Sequence, residues 1–373
     1  MSKNILILSH STFPSNHPRA LRTDELAREL ARQGNNVTLY VLTSTFNYSD
    51  FERDTNITVK SLGKIYLSKY SHEAGKLLSF PAKVFNKLLG KYTEFPDIEL
   101  IRNVYSALFS ELNNENEIDL LITIAVPHPI HWGAALFKTK NIEKFKNITW
   151  VADCGDPYMG NPFTSPPFYF RYVENWLCKH ADYITVPVKE AINIYPCKFR
   201  DKLKVIPQGF NLEDISFTDY VPKHIVPTFI YAGSFYPKYR DPSELLDYLS
   251  SLNKDFKFII YTKNHSLVKP YLKKMGSKLI VRPYLTRNEL LKEMKGVDFL
   301  INLENPSAVQ SPSKLIDYAI SGRPVLSINS NTILNTHKID DFLEGNYSNA
   351  LSTIDIKQYD IKNIAISFLS LIS

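Results

Sequence analysis

The stretch KNILILSHSTFPSNHPRALRTDELARELARQGNNVTLYVLT, residues 3–43, sets the class of the fold. KNILILS carries a short unbroken apolar run, the pattern of a strand buried on both faces. ALRTDELARELARQG then places apolar residues at helical spacing and stops at Gly34. A second apolar strand, NVTLYVLT, follows. Strand, helix and strand at this spacing make one βαβ unit, which belongs to a parallel sheet.

The alternation runs on along the chain. IDLLITIAV, NITWVAD, ADYITVPV and LKVIPQG are further buried strands separated by helical stretches. A second series begins after residue 220, with VPTFIYAGSF, FKFIIYTK, KLIVRPYL, VDFLINLE and RPVLSI as strands. PSELLDYLSSL, TRNELLKEMKG and SPSKLIDYAIS are its helices. A chain of 373 residues exceeds what one core usually serves. The expectation is an α/β protein of two doubly wound, Rossmann-like domains, residues 1–210 and 211–355. IKNIAISFLSLIS predicts a final helix within 356–373 that packs back on the first domain. Open α/β sheets bind ligands beyond the carboxyl ends of their strands, so two such domains facing each other enclose a cleft.

Composition narrows the function. Hydrophobic residues make up 44% and the mean hydropathy is −0.19, as in soluble globular proteins. No apolar run of about 18 residues predicts a membrane-spanning helix, and the N-terminus reads as a strand rather than a leader. The three cysteines, Cys154, Cys178 and Cys197, lack both even count and metal-ligand spacing, which fits a cytoplasmic chain. A net charge of +6 favours acidic partners. Neither a basic block nor an RNA-binding aromatic signature is present, so nucleic acid is not the expected partner. A G-x-G-x-x-G after the first strand is also missing, which argues against a dinucleotide dehydrogenase.

Two segments carry the chemistry of the second domain. In SPSKLIDYAISGRPVLSI, residues 311–328, Ser311 and Pro312 mark a helix start and Gly322 its end. Lys314 and Asp317 share a face away from the apolar stripe of Leu315, Ile316, Ala319 and Ile320. A helix N-terminus with a lysine in its first turn suits a phosphate, and an aspartate one turn on suits the vicinal hydroxyls of a ribose. An ordinary solvated Lys–Asp pair fits the same spacing. In YAGSFYPKYRDPSELLDYL, residues 231–249, Gly233 lets backbone approach a ligand closely and Arg240 sits where a loop would aim a guanidinium at a phosphate. Together Arg240 and Lys314 would clamp a diphosphate.

The order YAGSFY…YRDP, VRPYLTRNELLKEMKGVDFLINLE, SPSKLIDYAISGRPVLSI resembles the donor half of the GT-B glycosyltransferases, in particular family 4, whose members build bacterial polysaccharides. The opening βαβ unit, WVADCGDPY, ENWLCKHADYITVPV and VIPQGFN extend the resemblance over nearly the whole chain. It implies a GT-B architecture and transfer of a sugar from a nucleoside diphosphate sugar to a glycan or lipid-linked acceptor of the capsule or O-antigen type. The resemblance favours retention of configuration, with no metal or other cofactor. Arg240 and Lys314 would contact the diphosphate, Asp317 the ribose, backbone at Pro283 and Tyr284 the base, and N–H groups from Ser311 to Ser313 the distal phosphate. One departure stands out. The first glutamate of the family's E-x7-E motif is Val309 here, and the nearest acid is Glu304.

The first domain would hold the acceptor. AVPHPIHW, residues 125–132, puts His128 and His131 past a strand, where an imidazole would hydrogen-bond the donor sugar, a phosphate or the acceptor. VADCGDPYMGNP offers Asp153 or Asp156 as the general base of an inverting transfer, while Asp156 before a proline also suits a turn cap. Arg19 and Arg22 lie in the first strand-to-helix connection, open to a phosphate or acceptor. Glu174 reads as a surface charge on a helix, with a further cleft acid as the alternative. GKLLSFPAKVFNKLLGKY, residues 75–92, interleaves lysines with apolar residues and would rest either on an anionic membrane at the cytoplasmic face or against its own domain. A sugar-nucleotide epimerase and a non-catalytic subunit that binds a glycan or nucleotide are the rival functions.

Overall fold

A computed structural model of the chain describes all residues except 1, 16, 43–45, 67–87, 114–116, 162–163, 214–223, 236, 238–239, 305–312, 330–331, 353–354 and 373. It divides into two compact units, Met1–Asn211 with Gln358–Ser373, and Leu212–Lys357. In the first unit, β1 (Asn4–Ser9), β2 (Asn36–Val41), β3 (Ile57–Ser61), β4 (Leu120–Ala125), β5 (Thr149–Cys154), β6 (Tyr183–Val186) and β7 (Leu203–Val205) form a parallel sheet. Their order is β3-β2-β1-β4-β5-β6-β7. Its helices are α1 (Pro18–Arg32), α2 (Ser49–Thr55), α3 (Leu100–Asn113), α4 (Pro129–Lys140) and α5 (Phe170–His180).

The second unit repeats the plan. Strands β8 (Thr228–Ala232), β9 (Lys257–Tyr261), β10 (Leu279–Arg282), β11 (Phe299–Leu303) and β12 (Val325–Ile328) pair in parallel in the order β10-β9-β8-β11-β12. Helices α6 (Ser243–Ser251), α7 (Lys269–Met275), α8 (Arg287–Lys295), α9 (Ser313–Ser321) and α10 (Thr336–Leu343) accompany them. The α/β class with two parallel sheets is the expected one. Each sheet reverses its winding once, between β1 and β4 and between β8 and β11. The loops leaving those strand pairs diverge and open a crevice at the carboxyl edge.

Local chemistry accounts for the elements. Helix α1 has Pro18 in its first turn and ends before Gly34, which takes a left-handed φ of +85°. Helix α8 opens with a capping box, Thr286 and Glu289 exchanging backbone and side-chain hydrogen bonds. Phe229 faces Phe258 and Phe299 on the neighbouring strands, and the rings stack at 4.7 and 4.5 Å. That ladder fixes the middle of the second sheet. At the opposite edge Asp119 and Asp298, each just before a strand, accept the backbone N–H of Asn4 and Thr228 at 2.8 Å. Strand β3 and helix α2 were not expected, because ITVKS mixes exposed and half-buried positions at the sheet's edge.

The last helix, α11 (Ile361–Leu369), belongs to the first unit. Ile361, Ile364, Ala365 and Phe368 share a core with Leu26, Ala27 and Leu30 of α1. The outgoing and returning chain are laced together: Phe210 N–H donates to Tyr359 O at 2.9 Å and Ile361 N–H to Phe210 O at 3.0 Å. Gly209 permits this, since a Cβ there would lie 2.4 Å from Ile361 Cδ1.

A buried carboxylate joins these parts. Asp153 at the end of β5 accepts from Arg22 Nε and Nη2 at 3.2 and 3.1 Å, from Thr185 Oγ1 at 2.6 Å, and from Arg19. Arg22 is 1% exposed, donates Nη1 to Pro207 O at 2.8 Å, and stands 5.1 Å from the centre of the Phe368 ring. Burial alone would raise the pKa of Asp153, but Arg22 and Arg19 hold it well below the carboxylate range. Because folding lowers that pKa, the contribution is present at neutral pH and is lost as acid protonates the carboxylate. Asp153→Asn leaves two guanidiniums uncompensated and is expected to lower the stability of the first unit by about 3–5 kcal/mol. All three tryptophans, Trp132, Trp150 and Trp176, lie in that unit, so their fluorescence in a urea titration reads it alone.

Candidate functional site

In the second unit the crevice between β8 and β11 is lined by cations. Gly233, just after β8, has a φ of +147°, a conformation side chains rarely adopt. The space where its Cβ would be belongs to Lys314: that Cβ would sit 1.7 Å from Nζ and 2.5 Å from Cε. The half-buried lysine also lies 4.8 Å over the ring of buried Tyr231, whose hydroxyl donates to Ser234 O at 3.1 Å. Among the described residues no carboxylate is within ion-pair reach of Lys314. Burial, with Arg240 close by, pulls its pKa down to about 7. Lys314 thus lies beside a second cation, an arrangement that suits an anion.

Asp317 lies one turn along α9 and its Oδ1 accepts from Arg287 Nε of α8 at 2.8 Å. Burial raises its pKa and Arg287 opposes the rise. Sequence inspection pairs Asp317 with Lys314; the fold gives its carboxylate to an arginine 30 residues away. At the end of β10, Pro283 and Tyr284 are exposed, Tyr284 by 57%, and Lys263 Nζ stands 4.9 Å over its ring. An open aromatic face beside exposed backbone suits a planar base. Ser311, Pro312, Val309 and the side chain of Ser313 lie outside the described residues. Glu304 accepts from Ser327 Oγ at 2.9 Å.

The first unit differs from expectation at several residues. Asp153 is 3% exposed and ion-paired, so it has no lone pair left for an acceptor proton and is corrected from general base to structural anion. Arg19 and Arg22, expected to meet an acceptor, are the cations of that network. His131 is fully buried against Thr123 and Cys154 rather than open to an acceptor. Glu174 is buried rather than on the surface, and accepts the N–H of Met159 at 3.1 Å. Asp156 is half-buried beyond β5. His128 is 6% exposed, in ring contact with Tyr158 at 4.8 Å, and burial brings its pKa down to about 4.

Sequence reading missed other groups at this crevice. Tyr158 donates to Glu94 at 2.6 Å, and Glu94 takes a left-handed φ of +57° that glutamate rarely adopts. Half-buried Asp97 and His10 interact electrostatically, burial raising the first pKa and lowering the second. YTEFPDIE gives no sign of this beyond its two acids, because their partners lie far along the chain. Residues 75–87 of the interleaved segment fall outside the described residues, while Leu88 and Tyr92 are exposed. Among the described residues no helix is long and apolar enough to cross a membrane.

No family profile and no curated sequence matches the chain. Solved structures do. A glycosyltransferase from Rickettsia africae ESF-5 aligns with a TM-score of 0.58 at 14% identity, over 100% of this chain and 95% of that one. Anabaena Alr3699/HepE in complex with UDP aligns at 0.61 and 10%, over 99% of both chains. The lipopolysaccharide outer core galactosyltransferase WaaB aligns at 0.55 and 13%, over 98% and 99%. Two parallel-sheet α/β units in series, matched end to end, give this chain the GT-B fold.

Gly233→Ala tests the anion site. A methyl group at that φ evicts the Lys314 ammonium, so binding of inorganic pyrophosphate is expected to weaken about 10- to 100-fold by calorimetry, the value of one charge-assisted hydrogen bond.

Proposed function

We propose that the chain is a glycosyltransferase that moves a sugar from a nucleoside diphosphate sugar to a glycan or lipid-linked acceptor during assembly of a surface polysaccharide. The observation that carries this reading is Lys314, held against Gly233 beside Arg240 with no acid among the described residues to neutralise it. A diphosphate supplies the missing charge. Structural neighbours of the same fold include Alr3699/HepE in complex with UDP-glucose and the galactosyltransferase WaaB, which makes a uridine nucleotide the first donor to try.

In this reading Lys314 and Arg240 hold the diphosphate, and N–H groups from Ser311 to Ser313 take its distal phosphate. Asp317, steadied by Arg287, takes the ribose, and the base rests at Pro283 and Tyr284. During transfer the bond from the sugar's C1 to the phosphate oxygen breaks with its electron pair, and the two cations stabilise the leaving diphosphate. A new bond forms from C1 to the acceptor oxygen, whose proton must leave. Asp156 and Asp97 at the first unit's crevice are the carboxylates to take that proton if configuration inverts; if it is retained, the outcome the sequence resemblance favours, the departing phosphate oxygen takes it. The work would be done in the cytoplasm, at the membrane face where the acceptor is lipid-linked.

Titration of Lys314 supplies the test. Its pKa rises when a diphosphate binds, so binding takes up a proton wherever the free lysine is neutral. Affinity for UDP-glucose is therefore expected to be strongest below about pH 7 and to fall up to tenfold per unit between about pH 7 and 8.5. Calorimetry should show that slope, and Lys314→Ala should bind weakly with a flat profile. A wild type that binds no UDP, GDP, CDP or dTDP sugar at any pH would refute the donor site.

A further inference from the structure

His128 and His131 flank the start of α4, and Cys154 ends β5. The register of β4 on β5 sets Ala125 opposite Cys154, so the thiol arrives beside both imidazoles. All three side chains are buried, at 6%, 0% and 2% exposure. Their ligand-capable atoms lie within 4.8 Å of one another, and Cys154 Sγ is 3.5 Å from His131 Nε2. A tetrahedral zinc ion with bonds of about 2.3 Å to sulfur and about 2.0 Å to nitrogen holds those ligands about 3.5 Å apart. This edge already has the length a metal requires.

A hydrogen-bond chain from Thr123 through His131 to Cys154 would explain that one distance. His128 stands outside that chain: it is 6% exposed, with its ring against His131 at 5.9 Å and Tyr158 at 4.8 Å. Its ligand-capable nitrogen shares the same few ångströms as the other two donors. The surroundings match a metal site as well. His131 Nδ1 meets Thr123 Oγ1 at 2.7 Å, and that hydroxyl accepts Trp150 Nε1 at 3.0 Å, which fixes the ring. His128 and Cys154 also line a small pocket with Tyr158, Glu174 and Tyr195.

We propose that His128, His131 and Cys154 bind a thiophilic divalent cation, zinc foremost, with the fourth position open to this pocket. On binding, a sulfur–metal bond replaces the S–H bond, the proton passes to solvent, and no electron changes hands. His131 coordinates through Nε2 and gives its Nδ1 hydrogen to Thr123. The site is independent of the proposed transferase reaction and stands or falls without it.

Cobalt(II) titrated into the metal-free full-length chain under reducing, anaerobic conditions tests this. Cys197 is exposed, so Cys197→Ser provides the background. One equivalent should bind with thiolate-to-cobalt absorption in the near ultraviolet and intense tetrahedral bands in the visible, both erased by zinc. Cys154→Ser should remove the thiolate band, and Thr123→Val should loosen cobalt about 10- to 100-fold. Should Cys154→Ser fail to fold by circular dichroism, His128→Ala carries the test, with an affinity loss of at least about tenfold expected. A folded parent chain without a thiolate band overturns the proposal, as does a band unchanged in Cys154→Ser or an affinity unchanged in His128→Ala.

Discussion

Parallel strands cannot be joined by tight turns, so every strand but the last in each sheet is followed by a crossover, and in each sheet the direction of winding changes once. At β1/β4 and at β8/β11 the outgoing loops part company, and the carboxyl ends of those strands are the places where backbone groups and side chains converge on empty space. The rest of the molecule is organised by that constraint. Gly233 and Lys314 leave β8 and enter α9 at one reversal; His10, His128 and the Asp153 network lie at or beside the other.

The charged groups of the two crevices are paired differently. In the first unit a carboxylate is sunk between two guanidiniums, one of which also holds Pro207 and packs on Phe368, so the charges there are spent on joining β5, β6, α1 and α11. Glu94, Asp97, Asp156 and His10 are half-buried there, as is Arg19. In the second unit Asp317 is paired with Arg287, while Lys314 has no carboxylate within ion-pair reach among the described residues. Lys314 is packed against glycine and an aromatic ring, and its nearest charged influence is another cation. Holding an ammonium in that state costs free energy, which an anion or loss of the proton recovers. Under the proposed activity, Lys314 and Arg240 are the groups that would meet the diphosphate.

How much of this the sequence discloses follows from the distance between partners. Strands such as KNILILS and VDFLINLE are legible because burial on both faces needs nothing but local apolar content, and Gly34 because a left-handed residue closes a helix wherever it occurs. Lys314 stands out because it falls in the first turn of a helix marked by Ser311 and Pro312, and Arg240 because it lies in a loop between a strand and a helix. Asp153 looks like a catalytic acid for a similarly local reason, and nothing near it in sequence reveals that Arg22, 131 residues away, neutralises it. Asp317 with Arg287 and Glu94 with Tyr158 are hidden in the same way. The edge strand β3 escaped notice because its ITVKS pattern never repeats long enough to assert a period.

The most direct measurement is a crystal structure of the chain with UDP-glucose. The account predicts the diphosphate within hydrogen-bond distance of Lys314 Nζ and the Arg240 guanidinium, with the ribose at Asp317 and the uracil beside Pro283 and Tyr284. A nucleotide bound at the first unit's crevice, or one whose phosphates avoid Lys314, would contradict it.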